Sequence, residues 1–100
     1  MRLKGTFSRI DDKGRMKLAH TDQSRDQLQT VIGPGGKDEF TVQFRSRRDA
    51  SDPYILDLLG HAVEVDVTIT RRSFKSIYQA NVGQTIECTI LMLDNIKTQN

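Results

Sequence analysis

The sequence predicts a mainly β protein: a small antiparallel barrel of five to six strands, with one short helix between strands three and four. Three observations indicate this fold class. Apolar and polar residues alternate with a period of two in several short segments. A turn sequence separates the first two of these segments, and one segment carries both a helix start signal and a helix stop signal. Twisted antiparallel sheets of this size bury their apolar faces by curling into a barrel or a sandwich.

The composition is that of one folded domain spanning residues 1–100. Of the 100 residues, 36% are hydrophobic and 28% are charged, which argues against wholesale disorder. No apolar run approaches the roughly 18–20 residues of a membrane helix, so we expect no membrane partner. The N-terminus does not have the pattern of a secretion signal. Since the single cysteine, Cys88, cannot form an internal disulfide, we expect a reducing, cytoplasmic location.

The first twenty residues predict a β-hairpin. Residues 3–8 and 15–18 alternate between apolar and polar side chains, and residues 11–14 connect them. Gly14 suits the left-handed position of a short hairpin loop. Gly5 interrupts the first strand, and a glycine there marks a bend or a bulge.

The next segment has weaker signals. Residues 21–26 are polar and predict a loop or a frayed helical turn, and residues 28–32 predict a short strand. The Gly-Pro-Gly-Gly sequence at 33–36 breaks regular structure and lacks the spacing of a phosphate-binding P-loop. Residues 40–44 alternate again and predict the third strand.

Residues 51–60 predict the helix. Ser51 or Asp52 can cap its first turn, and Pro53 follows where its missing N–H group costs nothing. Gly60 can end the helix in a left-handed conformation. Because such a short helix is unstable alone in water, it must plug part of the sheet, with Ile55, Leu58 and Leu59 on its buried stripe.

Two more strands follow the helix. Residues 63–69 alternate regularly, and residues 85–93 form the last strand. The alternation of the last strand changes near Leu91, which indicates a bulge or burial on both faces. Between these strands lies the basic and aromatic segment 71–80, which we expect to belong to a connecting loop.

A five-stranded barrel with a short capped helix between strands three and four resembles the oligonucleotide/oligosaccharide-binding (OB) fold. Gly5, the helix at 52–60 and the strand that follows carry this resemblance, which covers most of the chain apart from 21–38. An SH3-like barrel and a β-sandwich remain alternative folds. The short form also resembles the stand-alone single-stranded DNA-binding proteins of phages and mobile elements.

The resemblance implies a ligand path across the middle strands, between the loops at 10–14 and 71–84. Cations there would contact phosphates, and aromatic rings would stack on unpaired bases. The candidate nucleic-acid-binding residues are Lys13, Arg15, Lys17, Arg45, Arg47, Arg72, Phe74, Lys75 and Tyr78. The alternative is that these cations cover a solvated strand face and that the rings belong to the core. The hypothesis therefore requires that the clusters meet on one face.

Catalysis has little support in the sequence, and we expect a non-enzyme without a cofactor or a metal. The two histidines, His20 and His61, have no metal-ligand spacing with Cys88. Cys88 alternates with Ile86 and Ile90, a pattern that favours a small buried hydrophobe over a nucleophile.

The predicted function is non-catalytic binding of single-stranded nucleic acid, with DNA favoured, in replication, recombination or repair. Proteins of those processes are candidate partners, and open strand edges favour a homodimer. The alternative is a protein-interaction or assembly module, such as a virion component or an inhibitor of a host enzyme. The small net charge of +2 favours the alternative, whereas the Arg71–Tyr78 segment favours nucleic acid.

Overall fold

A computed structural model of the chain describes residues 1–32, 38–75 and 85–99. Five strands form one antiparallel sheet in the order β3-β2-β1-β4-β5, which confirms the mainly β class. The strands are β1 (Arg2–Ile10), β2 (Met16–His20), β3 (Glu39–Val42), β4 (Ala62–Lys75) and β5 (Thr85–Thr98). The helices are α1 (Asp22–Ile32), a 3-10 helix (Arg47–Ser51) and α2 (Pro53–Leu56). No helix among the described residues has the length and apolar character needed to cross a membrane.

The first hairpin is confirmed, but the role predicted for Gly5 is wrong. Gly14 closes the turn with a φ of 75°, and its N–H group donates to the carbonyl of Asp11 at 3.0 Å. The bulge in β1 lies between Phe7 and Arg9 rather than at Gly5. Gly5 is instead buried where β1 and β2 approach closely, and a Cβ atom there would lie 2.7 Å from the carbonyl oxygen of Ala19.

Residues 22–32 form a helix, so the strand predicted at 28–32 is wrong, and of the two alternatives given for 21–26 the helical turn is correct and the loop is wrong. Thr21 caps α1 reciprocally with Ser24: the Ser24 N–H group donates to Thr21 Oγ1 at 3.1 Å, and the Thr21 N–H group donates to Ser24 Oγ at 2.9 Å. Ser24 and Leu28 are buried one turn apart. Because only one of these two residues is apolar, the buried stripe did not stand out in the sequence.

His20, at the end of β2, connects the cap of α1 to the core. Its Nδ1 atom lies 3.0 Å from Ser24 Oγ, and its ring packs on Phe40 with 4.9 Å between the centroids. Burial lowers the pKa of His20, Arg25 lowers it further, and Asp38 acts in the opposite direction. The neutral imidazole is therefore the form that suits the folded state.

We expect the free energy of unfolding to decrease as the pH falls below about 6.5, the usual pKa of histidine. The unfolded chain then binds a proton at His20 more readily than the folded chain does, so stability rises with pH until both forms are neutral. Urea denaturation between pH 7 and 5 measures this slope. A His20→Gln variant should have a smaller slope than the unmodified protein. Equal slopes for His20→Gln and the unmodified protein would contradict this assignment.

The predicted helix at 51–60 is shorter than expected. Asp52 caps α2 by accepting from the N–H group of Tyr54 at 2.9 Å, Pro53 occupies the first turn, and Gly60 has a φ of 83°. The signals were therefore correct, but regular α-helix ends at Leu56. The N–H group of Gly60 donates to the carbonyl of Phe7 on β1, which ties the following turn to the sheet. Leu59 is 40% exposed and does not share the buried stripe predicted for it.

β4 is longer than the sequence predicted. It continues to Lys75, so residues 71–75 belong to a strand and not to the expected loop. Its partner β5 has an extra residue, Asp94, because Asp66 pairs with Asn95 while Val67 pairs with Leu93. This bulge lets Leu93 and Ile96 both face the core although they are three residues apart. The pairing of β4 with β5 is regular at Leu91, so of the two alternatives predicted there, burial on both faces is correct and a bulge is wrong.

One continuous core covers one face of the sheet. Its largest fully buried side chains come from all of the strands except β5, and β5 adds Leu91, Leu93 and Ile96. Ile55 and Leu58 close the core from the α2 side, and Leu28 closes it from α1.

The second half of β4 extends beyond the sheet. β1 pairs with β4 from Ala62 to Asp66, with a last contact between Met1 and Val67. From residue 68 to 75, β4 has β5 as its only strand partner among the described residues. The two strands thus form an arm, made of residues 68–75 and 85–92, and the molecule measures 47 × 30 × 20 Å.

Candidate nucleic-acid interface

A groove lies on the outer face of the sheet, where β2, β3 and the arm come together. Its volume is about 380 Å³, and its lining includes Arg15, Thr41, Gln43, Arg72, Cys88 and Ile90. Alternation along the strands explains this placement: Met16 and Val42 point into the core, so their neighbours point outwards. None of the described lining residues is acidic.

Gln43 joins β3 to β5 at the base of the groove. Its N–H group donates to the carbonyl of Leu91 at 2.8 Å, and the N–H group of Leu93 donates to the carbonyl of Gln43 at 2.9 Å. These two bonds form a parallel bridge opposite Met92. The bridge brings together strands that are distant along the chain, and through them it brings the first hairpin close to the arm.

Arg15 is held in place at one side of the groove. Its Nε atom donates to Asp11 Oδ2 at 2.8 Å, and its backbone N–H group donates to Asp11 Oδ1 at 2.8 Å. Burial alone would raise the pKa of Asp11, but the hydrogen bonds from Arg15 and Lys13 outweigh it and lower the pKa. The two terminal nitrogens of Arg15 make no hydrogen bond with any other described residue, which leaves them available to a ligand.

Arg72 supplies the second positive charge. It lies on β4 directly opposite Cys88 of β5, its side chain is exposed, and it forms no ion pair within the described part of the chain. Arg15 and Arg72 are 57 positions apart in the sequence, yet they line one groove. An anionic ligand could therefore contact both guanidinium groups at once.

Lys17 lies beside the groove. It pairs with Thr41 across β2 and β3, and its Nζ atom donates to Thr41 Oγ1 at 2.6 Å. Because Thr41 itself lines the groove, Lys17 extends the positive face along the two strands.

The structure places three other predicted cations outside the groove. Arg45 donates from Nε to Asp94 Oδ1 at 3.0 Å, a pairing like that of Arg15 with Asp11, but it does not line the groove. A hydrogen bond from Thr68 and the guanidinium of Arg45 lower the pKa of Asp94. Arg47 is exposed on the 3-10 helix, and Lys13 is exposed on the turn of the first hairpin. The hypothesis that all the clusters converge on one groove is therefore not met by these three residues.

The side chains of the predicted stacking residues, Phe74 and Tyr78, lie outside the described part of the structure. Phe74 and Lys75 belong to the backbone of β4, but their side chains fall outside the described part of the structure, and Tyr78 lies outside the described residues altogether. None of the groove residues that the structure describes is aromatic. The described groove thus offers positive charge, polar side chains and aliphatic surface.

Arg15 and Arg72 are the only described groove residues that were predicted from the sequence. Thr41 and Gln43 alternate with Phe40 and Val42, so a search of the outward face of the third strand would have found them. Cys88 was predicted to be a small buried hydrophobe, but it is only half-buried and lines the groove opposite Arg72. Ile90 also lines the groove, so the alternation of Cys88 with Ile90 marks the groove side of β5 rather than the core side.

No family model, curated protein or solved structure matches the chain. The described residues also contain no cluster of three or more side chains suited to hold a metal ion. Functional inference therefore depends on the geometry and the charge of the groove.

Proposed function

We propose that the sheet curls into an OB-like barrel that binds single-stranded DNA without catalysis, in replication, recombination or repair. The strand order and the short helix between β3 and β4 support this architecture. So does the parallel bridge at Gln43, because a link between the two outermost strands is what closure of a five-stranded sheet requires.

The observation that carries the proposal is the pairing of Arg15 and Arg72 in one groove whose described lining contains no carboxylate. Phosphates of a single strand would contact the two guanidinium groups, and Lys17 would add a third positive charge at the margin. Guanidinium groups bind phosphate oxygens through two parallel N–H bonds, and Arg15 is already oriented by Asp11. Thr41 and Gln43 can hydrogen-bond to sugars or base edges between the phosphate contacts.

The first test is the salt dependence of binding to fluorescein-labelled oligo-dT, measured by fluorescence anisotropy. Binding should weaken linearly with the logarithm of salt concentration because bound phosphates release counterions. Arg15→Gln and Arg72→Gln should each weaken binding and reduce the slope by about 0.7, the value expected for one contact with a single strand. The double variant should lose about 1.4.

Arg25→Gln is the matched control for these variants. Arg25 is an exposed arginine on α1 that does not line the groove, so its replacement should leave the slope unchanged. Melting temperatures of all the variants show whether a loss of affinity reflects unfolding. Equal slopes for Arg25→Gln and Arg72→Gln would place the ligand elsewhere.

Cys88 offers an independent local probe, because it is the only cysteine of the chain and lines the groove. Bound oligo-dT should slow the alkylation of Cys88 by iodoacetamide, and high salt should restore the original rate. If the unmodified protein does not bind oligo-dT at low salt, the proposal fails and a protein-interaction or assembly module becomes the better interpretation.

A further inference from the structure

The outer edge of β4 in the arm has backbone hydrogen-bonding groups that no other described residue pairs with. Val67 and Met1 exchange both of their backbone hydrogen bonds, at 2.8 and 2.9 Å. Because the direction of the N–H and C=O groups alternates along a strand, the groups of Ile69, Arg71 and Ser73 point to the same side as those of Val67. The bulge at Asp94 lies on β5 and does not disturb this alternation. The described part of the chain supplies no partner on that side of the arm.

The side chains along this edge are exposed and basic. Arg71, Arg72 and Ser73 are exposed, and Ile69 is 39% exposed. β4 contains no acidic residue after Asp66. Since side chains alternate between faces, Arg71 lies on one face of the arm and Arg72 on the other. A strand added to this edge would therefore meet positive charge on both of its faces.

We propose that this edge, residues 69–73 of β4, binds an extended acidic peptide segment of a partner protein by strand addition. The peptide would continue the sheet through hydrogen bonds to Ile69, Arg71 and Ser73, and its carboxylates would pair with Arg71 and Arg72. This inference goes beyond DNA binding in the groove and does not depend on it.

Two other occupants fit the edge less well. In a second copy of the chain, the antiparallel register that joins all three open residues would place Arg71 opposite its own copy, and like charges directly opposite are destabilising. Nucleic acid would bring phosphate oxygens against the free carbonyl oxygens of the edge. A peptide matches both the free N–H groups and the free carbonyl groups, and acidic side chains match the arginines.

The test uses a fluorescein-labelled peptide of repeated valine-glutamate-glutamate, which places carboxylates on both faces of an added strand, with two controls of the same length. One control replaces glutamate by lysine, and the other carries an N-methyl group on every residue, so that it keeps the charge but has no N–H group on either edge with which to add as a strand. We expect the dissociation constant of the acidic peptide to be at least about tenfold lower than that of either control. A tenfold difference is the effect expected from the loss of one charge-assisted hydrogen bond.

Variants of the edge distinguish the contribution of the arginine charges to peptide binding from the contribution of the backbone hydrogen bonds. Arg71→Glu should weaken binding of the acidic peptide about tenfold or more and should favour the lysine peptide. Ile69→Pro removes one edge N–H group that does not contribute to the β4–β5 ladder, so it should weaken binding while Ile69→Ala changes it little. Bound peptide should also slow hydrogen exchange at the Arg71 amide. Circular dichroism checks that each variant is folded.

Two results would overturn the proposal. If the N-methylated peptide binds as tightly as the unmethylated acidic peptide, strand addition does not occur. The arginines would then serve only to prevent other strands from pairing with this edge. If affinity depends on Arg15 but not on the change from isoleucine to proline at residue 69, the carboxylates occupy the groove instead. Titration of the Ile69→Pro variant with oligo-dT distinguishes a loss of peptide binding from a loss of DNA binding. Because this substitution changes no groove residue, it should leave DNA binding unchanged.

Discussion

Replacing Phe7 by alanine is expected to lower the free energy of unfolding by about 3–5 kcal/mol. Phe7 is fully buried at the centre of the core. Its backbone also accepts a hydrogen bond from Gly60 and donates one to the carbonyl of His61, so β1 and the turn after α2 meet at this residue. Truncation to alanine would leave a cavity that strands on both sides of β1 cannot fill without breaking their ladders. Urea denaturation followed by circular dichroism measures the loss.

Phe44 provides the matched control for this prediction. It is only half-buried and packs against the edge of the core, so the same substitution removes less buried surface. Phe44→Ala should therefore cost clearly less than Phe7→Ala. Since domains have a total stability of about 5–15 kcal/mol, the Phe7 variant should show a much lower midpoint of denaturation. Equal losses at the two positions would contradict the placement of the core.

Gly5→Ala is expected to destabilise the protein by about 1–3 kcal/mol, the range for an overpacked interior. The added Cβ atom would lie 2.7 Å from the carbonyl oxygen of Ala19, 3.2 Å from Phe40 Cε1 and 3.3 Å from Leu18 Cβ. The closest of these atoms belongs to the backbone of β2, which moves only if the hairpin loosens. Thermal and urea denaturation of the variant measure the cost.

Two comparisons test whether close approach is the cause. A Phe40→Leu change in the Gly5→Ala background should not restore stability, because the carbonyl of Ala19 would still be too close. At Gly60 the reason for glycine is different: φ is 83° and an added Cβ atom would meet nothing within 4 Å. Gly60→Asn should therefore cost less than Gly60→Ala, since asparagine tolerates the left-handed conformation. Full rescue by the leucine substitution at residue 40 would contradict this explanation.

The strands could be predicted because their pattern is local. Alternation in residues 3–8 and 63–69 directly reflects one buried and one solvated face, and it identified the correct strands. Capping chemistry is equally local, so Asp52 and Gly60 were recognised even though regular α2 is only one turn long. Such signals do not require knowledge of the rest of the fold.

Helix α1 could not be predicted from the same kind of pattern. Its buried positions include Ser24, whose hydroxyl is satisfied by the cap with Thr21 and by contact with His20. The buried face of α1 is therefore too polar to be recognised as a hydrophobic stripe in the sequence. The extension of β4 to Lys75 was missed for a related reason, because the arm has little core to cover and its residues need not alternate.

The groove was predicted only in part because it depends on contacts between distant segments. Arg15 and Arg72 were both candidates, and the bridge at Gln43 is what brings their strands together. The sequence could not reveal that Asp94 would pair with Arg45, since that pairing requires the bulge in β5. Charge clusters in a sequence therefore indicate candidates, whereas the choice among them depends on tertiary structure.

The bridge at Gln43 also has a thermodynamic consequence. Among the described residues, two backbone hydrogen bonds of Gln43, one to Leu91 and one from Leu93, join the end of β3 to β5 along this seam, fewer than join the paired strands of the sheet. If the proposed DNA strand contacts Arg15 and Arg72 at once, it would stabilise the junction between β3 and β5. Any opening of the seam would then have to release the ligand, and the occupied protein would resist local unfolding more than the empty one.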